Sequence, residues 1–433
     1  MLRLIKVLLV LVLLVVVLFV GVFISALDSE PLVVAPSAKQ VEDAESVKGL
    51  LSQLSQSLIN RNSEQHITLS ERQLNSLVGF AQRAHQPLQG RVNISRFSSV
   101  FSISYKLADN PLGNYINLRV ILLPGNGIRV SQLKLGRFNL SGEATVGTIV
   151  WLADWWTQSD IATQFVRQVE QIAMSEDRMV VSVRPLDKFL KELNQLQKGL
   201  KGNGDEMQRE KTAYYLRFIA DLPLGRSSGP ISLAEFVGPV FAEAQAVSSV
   251  ETAAKENEAA ILALAIYTGH HRFASFVGKV QPIPGKVALP KSPPVLAKRR
   301  DLNQHFIFSA AIKILSEQGI SAAIGEFKEL MDRGQGGSGY SFVDLAADFA
   351  GIAFAQRASD PLYARQLQAV LANNSEESAF FPPIVGLPEG LNKVAFSQRF
   401  GQVDSPEYNK LVGQINQSIS QLAIHSINMN ASL

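Results

Sequence analysis

Between Phe342 and Ala355 every residue is apolar or glycine except Asp344 and Asp348. A helix that is hydrophobic all round is a buried helix, and two carboxylates four residues apart on it point the same way. An unpaired carboxylate taken out of water costs several kcal/mol. The fold must therefore bring each aspartate a donor, a cation, a metal or a shared proton. Ser341 is placed to cap this helix, with Asp344 as the acidic member of a capping box. Gly351 lies one turn beyond Asp348 on the same face, where a missing side chain permits close approach.

Two further helices are expected upstream. Leu302 to Glu317 is apolar except at its ends and along a stripe of His305, Ser309, Lys313 and Ser316, which share one face. Ile320 to Asp332 is expected to bury Ile320, Ala323, Ile324, Phe327, Leu330 and Met331, with Glu326 and Glu329 on a different face. The candidate partners for the two aspartates on these helices are His305, Lys328 and Arg333. Cysteine is absent, so a metal site can use only His, Asp and Glu, and a cysteine nucleophile is excluded.

The chain has 433 residues, which calls for two or three domains. Its formal net charge of +3 arises from interspersed Lys and Arg and gives no electrostatic case for nucleic acid. Val7 to Leu27 is an apolar run without charge, preceded by Arg3 and Lys6 and followed by Asp28 and Glu30. Its length suits a transmembrane helix, and the positive-inside rule exports everything after Asp28. Ile24-Ser25-Ala26 is a poor cleavage site, which favours an uncleaved anchor over a signal peptide. The expected localisation is the bacterial inner membrane, single pass, with the bulk of the chain periplasmic and residues 7–27 as the membrane contact.

The expected fold class is α+β: an N-terminal transmembrane helix, an antiparallel-sheet domain with helices, then a mainly α-helical C-terminal domain. Residues 1–30 form the cytoplasmic stub and anchor, and 31–65 a spacer with a stalk helix over 39–59. Residues 66–200 form the sheet domain. Ser70 and Gln73 make a capping box. From Gly90 the period becomes two, in runs centred on Val92, Ile103, Val120 and Val130, separated by turn signals around Pro111 and Gly125. Helical patterns follow over 143–156 and 161–174, then a strand over 178–184. Trp151, Trp155 and Trp156 are expected to pack on the sheet, or else to form a platform for sugar or lipid. An amphipathic helix spans 188–200, and Lys201 to Asp205 is a glycine-rich boundary. Residues 206–433 are mainly helical, interrupted by a connection over 281–300 whose prolines at 282, 284, 290, 293 and 294 exclude helix. His270 and His271 are adjacent and face apart, which argues against a metal site there.

The order Asp301, His305-Phe306, Ser309, Gly325, Lys328-Glu329, Asp332, Ser338-Gly339, Ser341, Asp344-Leu345, Asp348, Gly351 resembles the YfiM-type family of bacterial envelope lipoproteins, and more distantly VanZ-like membrane proteins. The chain departs from the lipoproteins in lacking a lipidated cysteine and in carrying large N-terminal regions. Residues 66–185 are similar in pattern to YpmS-type extracytoplasmic modules. These resemblances imply an envelope setting and carry no activity with them.

Three functions follow as expectations. One is a binding or scaffold role, with an envelope protein, polymer or lipid as partner and the polar cluster a satisfied internal network. The alternative is a hydrolase acting on an envelope polymer or lipid-linked substrate, with His305, Glu329, Asp344 and Asp348 as an acid/base cluster or with His305, Asp344 and Asp348 holding Mn, Mg, Ca or Zn. Lys328, Asp332, Ser338, Gly339, Ser341 and Gly351 would support that site. The third is an apolar-ligand pocket under the tryptophan helix. A G-x-S-x-G elbow, a Walker loop and a dinucleotide fingerprint are absent from the sequence.

Overall fold

The structure, a computed structural model, describes residues 25–192 except 110 and 112, and 203–426 except 284, 317 and 375; side chains at 203–205 and 318–323 are outside the description. Contacts divide the chain into two compact units, residues 1–199 and 200–433.

In the first unit the strands are β1 (Leu27–Asp28), β2 (Gln65–Ser70), β3 (Leu88–Ile94), β4 (Ser99–Lys106), β5 (Tyr115–Leu123), β6 (Gly125–Asn126), β7 (Arg129–Leu135), β8 (Phe138–Ser141), β9 (Val169–Met174) and β10 (Arg178–Val183). They build two antiparallel sheets. One runs β3-β4-β5-β7-β8 with β1 paired to β5, and the other runs β2-β10-β9-β6. Val92, Phe101, Val120 and Leu133 face one another across four strands, the register that a period of two imposes. Val92 and Ile94 pack with Ile172 and Met179 from the second sheet into a small core. The helices are α1 (Val47–Ile59), α2 (Glu71–Ala84), α3 (Gly142–Thr157) and α4 (Ile161–Gln168). Ser70 and Gln73 form the expected capping box at the start of α2.

The expected anchor requires correction. Residues 7–24 of it lie outside the described residues, and among the described residues no helix is long and apolar enough to cross a membrane. The end of the expected span is a strand: Leu27 pairs with Ile116 and Asp28 with Tyr115, and Leu27 is buried. Protein supplies both the hydrogen bonds and the apolar surroundings that lipid and helix were expected to supply. The structure therefore does not support the transmembrane part of the fold class, the residue 7–27 membrane contact, or the single-pass inner-membrane placement with a periplasmic bulk.

Three more details differ from expectation. The segment after Asp28 is strapped to the sheet, with the Leu32 amide donating to Asn117 Oδ1 and the Val33 amide to Ser104 Oγ. The helix expected over 161–174 stops at Gln168 and continues as β9. Trp151, Trp155 and Trp156 are 64%, 64% and 80% exposed, because α3 seats only its first residue tightly, with Gly142 against the Val130 backbone. The helix expected over 188–200 lies from residue 193 onward outside the described residues.

The second unit is helical: α5 (Asn203–Asp221), α6 (Leu233–Val247), α7 (Ala253–Leu264), α8 (Arg300–Leu315), α9 (Gln318–Asp332), α10 (Phe342–Ser359), α11 (Ala364–Ala372), α12 (Lys393–Phe400) and α13 (Pro406–Ser420). α7 and α10 are the buried pair. Inside, Asn257 donates to the Ala358 and Ala364 carbonyls and accepts from Gln368, so the backbone groups freed at the end of α10 find a partner.

Gly351 does what its position on the aspartate face suggests. A Cβ there would lie 2.0 Å from the Phe306 carbonyl oxygen, so α10 and α8 meet backbone to backbone. Gly351→Ala is expected to force these helices apart and destabilise the chain by about 1–3 kcal/mol, the usual range for overpacking. The check is a lowered midpoint in urea with an unchanged slope.

Candidate functional site

The three helices of the opening constraint meet at one end of a cleft of about 820 Å³. α10 contributes Asp344 and Asp348. Ser341 caps it as expected, with the Asp344 amide donating to Ser341 Oγ at 3.0 Å, but the expected capping box is not completed, because the Ser341 amide donates to Glu329 rather than to Asp344. α8 contributes His305 and Ser309, and α9 contributes Gly325, Lys328 and Glu329. Ser338 and Gly339, from the turn before α10, line the same cleft. Gly339 has a φ of +91°, and a Cβ there would meet the Gly390 backbone at 2.4 Å, so glycine alone lets these two rim loops touch.

His305 lies between the two aspartates. Its Nδ1 is 3.1 Å from Asp348 Oδ1 and its Nε2 is 3.6 Å from Asp344 Oδ2. Ser309 Oγ donates to Asp348 Oδ1 at 2.7 Å. Burial opposes charge on the imidazole, yet the hydrogen bond and charge of Asp348, with the charge of Asp344, lift its pKa above the ordinary value. Glu329 is fully buried. Its Oε2 accepts from the Ser341 amide at 3.0 Å and its Oε1 meets Lys328 Nζ at 3.1 Å. Burial pushes its carboxyl up to about 7, and Asp344 is raised for the same reason.

Positive charge at the site is shared out. Lys328 also bonds Asp332 at 3.1 Å. Arg299 bonds Asp301 at 2.6 Å and Glu389 at 2.7 Å, and reaches Asp344 Oδ1 only at 3.5 Å. Three buried carboxylates thus face cations already engaged elsewhere, and the interior carries negative charge that protons or a further cation must neutralise. Asp348 Oδ2 is buried without a hydrogen-bond partner, and Asp344 Oδ1 has only its longer ion pair with Arg299. His305, Glu329 and Asp348 each offer one ligand atom, all within 4.8 Å of one another, and this group could hold a metal ion. It overlaps the expected set of His305, Asp344 and Asp348 but exchanges Asp344 for Glu329. Gly325 keeps the space open: a Cβ there would be 2.7 Å from Asp348 Oδ2.

Several features were not legible in the sequence. Glu326 and Glu329, expected on another face from the apolar stripe, are both buried, while Ile324, expected inside, is 38% exposed. Phe327 and Leu330 are buried as expected, and α9 takes in the acids as well because they find partners indoors: Tyr408 donates to Glu326 at 2.6 Å, and Ser341 donates to Glu329. Arg333, a candidate partner of the aspartates, lies instead over the Phe396 ring at 4.8 Å. Arg299, at the end of the proline-rich connection, carries no sequence signal of its place in the site. It follows Ala297 and Lys298, both left-handed at φ 47° and 63°, in a tight turn closed by two hydrogen bonds between Leu296 and Arg299. Two non-glycine residues in that region store strain, and Glu377 braces the turn by accepting from the Ala297 amide. The run Ala-Lys carries no turn signal that would reveal it. Comparison of the chain with family models, curated proteins and solved structures finds no match.

The raised groups fix a pH dependence. Glu329, Asp344 and His305 each hold a proton more tightly when folded, so their stabilising contribution is complete at low pH and is lost as pH rises through the folded values. For Glu329 the window runs from the ordinary 4.5 to about 7. With a chelator present, the urea midpoint is expected to fall across that window. Glu329→Gln, which keeps the acceptor for Ser341, should flatten the slope.

Proposed function

We propose that the helical unit is a divalent-cation-dependent hydrolase centred on His305, Glu329 and Asp348. The observation that carries this reading is Asp348 Oδ2: a buried carboxylate oxygen with no hydrogen-bond partner, in a ligand-capable group beside an open cleft. Most buried polar atoms in a structural network are satisfied; Asp348 Oδ2 is not, and unlike the unpartnered buried atoms elsewhere in the chain it belongs to a ligand-capable group and faces a space that glycine keeps clear.

Two carboxylates and one imidazole suit a hard or borderline cation such as Mn, Mg or Zn. Such a cation supplies Lewis acidity and a more acidic bound water. The chain's own groups then have distinct parts. Asp344 borders the ligand set without belonging to it, and burial, which raises its pKa, makes it a stronger base towards water than a solvated carboxylate. Ser309 and the Ser341 amide orient Asp348 and Glu329, as outer partners of metal ligands do. Arg299, 3.5 Å from Asp344, lines the cleft where negative charge on a reacting oxygen would develop.

A binding role without chemistry is the second reading, supported by the way His305 is engaged by both aspartates. One experiment tests the metal centre on which the first reading depends. Titration of the purified chain with Mn²⁺ or Zn²⁺ is expected to show one equivalent bound, with proton release. Asp348→Asn, nearly isosteric, should weaken binding by more than the roughly 10–100-fold typical of outer-shell changes, while circular dichroism stays native. A folded wild-type chain that takes up no cation, or a variant that binds as well as wild type, would refute the metal centre.

A further inference from the structure

The wall of the cleft changes character along its length, on both helices and in the same sense. On α8 the lining runs from Asp301 and His305 to Phe308 and Ile312. At 1.5 Å per residue, Ile312 lies about 10 Å beyond His305. On α9 the order is reversed along the chain, as an adjoining helix in a hairpin requires: Ile324 precedes Lys328, and both line the cleft. The charged end therefore collects Arg299, Lys328 and the acids, and the other end is apolar. Ile324, which lines this end, is 38% exposed. Large aliphatic side chains turned towards a cleft are what a hydrocarbon ligand requires and what a solvated groove does not.

We propose that the cleft takes a single-chain amphiphile, with an anionic oxygen headgroup at the metal end and its hydrocarbon along Phe308, Ile312 and Ile324. This rests on the cation reading above, because the acids at the polar end repel an anion unless a divalent cation intervenes. With the cation in place the head meets Arg299 and Lys328 as well, whose side chains are 35% and 46% exposed. Both hold their present carboxylates through exchangeable ion pairs. The head is thus recognised by charge and the chain by burial.

The test compares methyl phosphate, dodecyl phosphate and dodecyltrimethylammonium on the full chain, by calorimetry with Mn²⁺ present and again with chelator. Each buried methylene is worth about fourfold in affinity, so burial of even three gives dodecyl phosphate roughly a fifty-fold preference over methyl phosphate. That preference should vanish with chelator. It should also drop at least about tenfold in Ile324→Asn, a substitution at a half-exposed position, with Mn²⁺ binding unchanged. Dodecyltrimethylammonium should bind far more weakly than dodecyl phosphate.

If Mn²⁺ binds but the two phosphates bind alike, the amphiphile proposal is overturned and the metal centre survives. Equal binding of the two dodecyl compounds shows adsorption to an apolar wall without head recognition, and also overturns it. If Mn²⁺ alone fails to bind, the metal centre and the amphiphile proposal fall together.

Discussion

A carboxylate that leaves water must be met by a proton, a donor or a cation, and α10 takes two of them inside the helical unit on one face. Much of the arrangement of α8, α9 and the rim loops answers that demand. α8 supplies His305 and Ser309, and the turn before it supplies Arg299. α9 adds a third acid, Glu329, which increases the demand rather than relieving it. An interior built for stability alone would do better with apolar side chains of similar volume. Concentrating three acids beside a cleft instead leaves negative charge that protons or a cation must neutralise.

Close packing makes the cluster tight. Gly351 lets α10 touch the Phe306 carbonyl, and Gly325 lets α9 approach the Asp348 carboxylate. A methyl group at the first position meets backbone, which cannot move without its helix. At the second it meets a side-chain tip, which can. The two glycines thus have different roles: one sets the separation of α8 and α10, the other the space beside an unpartnered oxygen.

Rules that act over a few residues were legible in the sequence. The Ser70 and Gln73 capping box, the Ser341 cap, the strands of period two and the burial of α10 all depend on neighbours one to four positions away. Expectations that depended on what covers a face fared worse. The tryptophans of α3 have the composition of a buried stripe but are exposed. α9 buries the face that carries Glu326 and Glu329, since partners for those acids existed across the fold. Leu27 ends an apolar run of membrane length and pairs into a sheet with Ile116.

By itself the sequence determined that Asp344 and Asp348 share a face, and it led to the expectation that they lie inside, because a helix apolar on every other face is normally buried. It determined also that only His, Asp and Glu could join them at a metal. Which partners they have was decided by the tertiary structure alone. His305 and Ser309 lie 43 and 39 positions from Asp348. Over such separations local pattern fixes neither how much of α9 is buried nor the placing of Arg299, and the choice falls to whichever helix packing satisfies the most buried polar atoms.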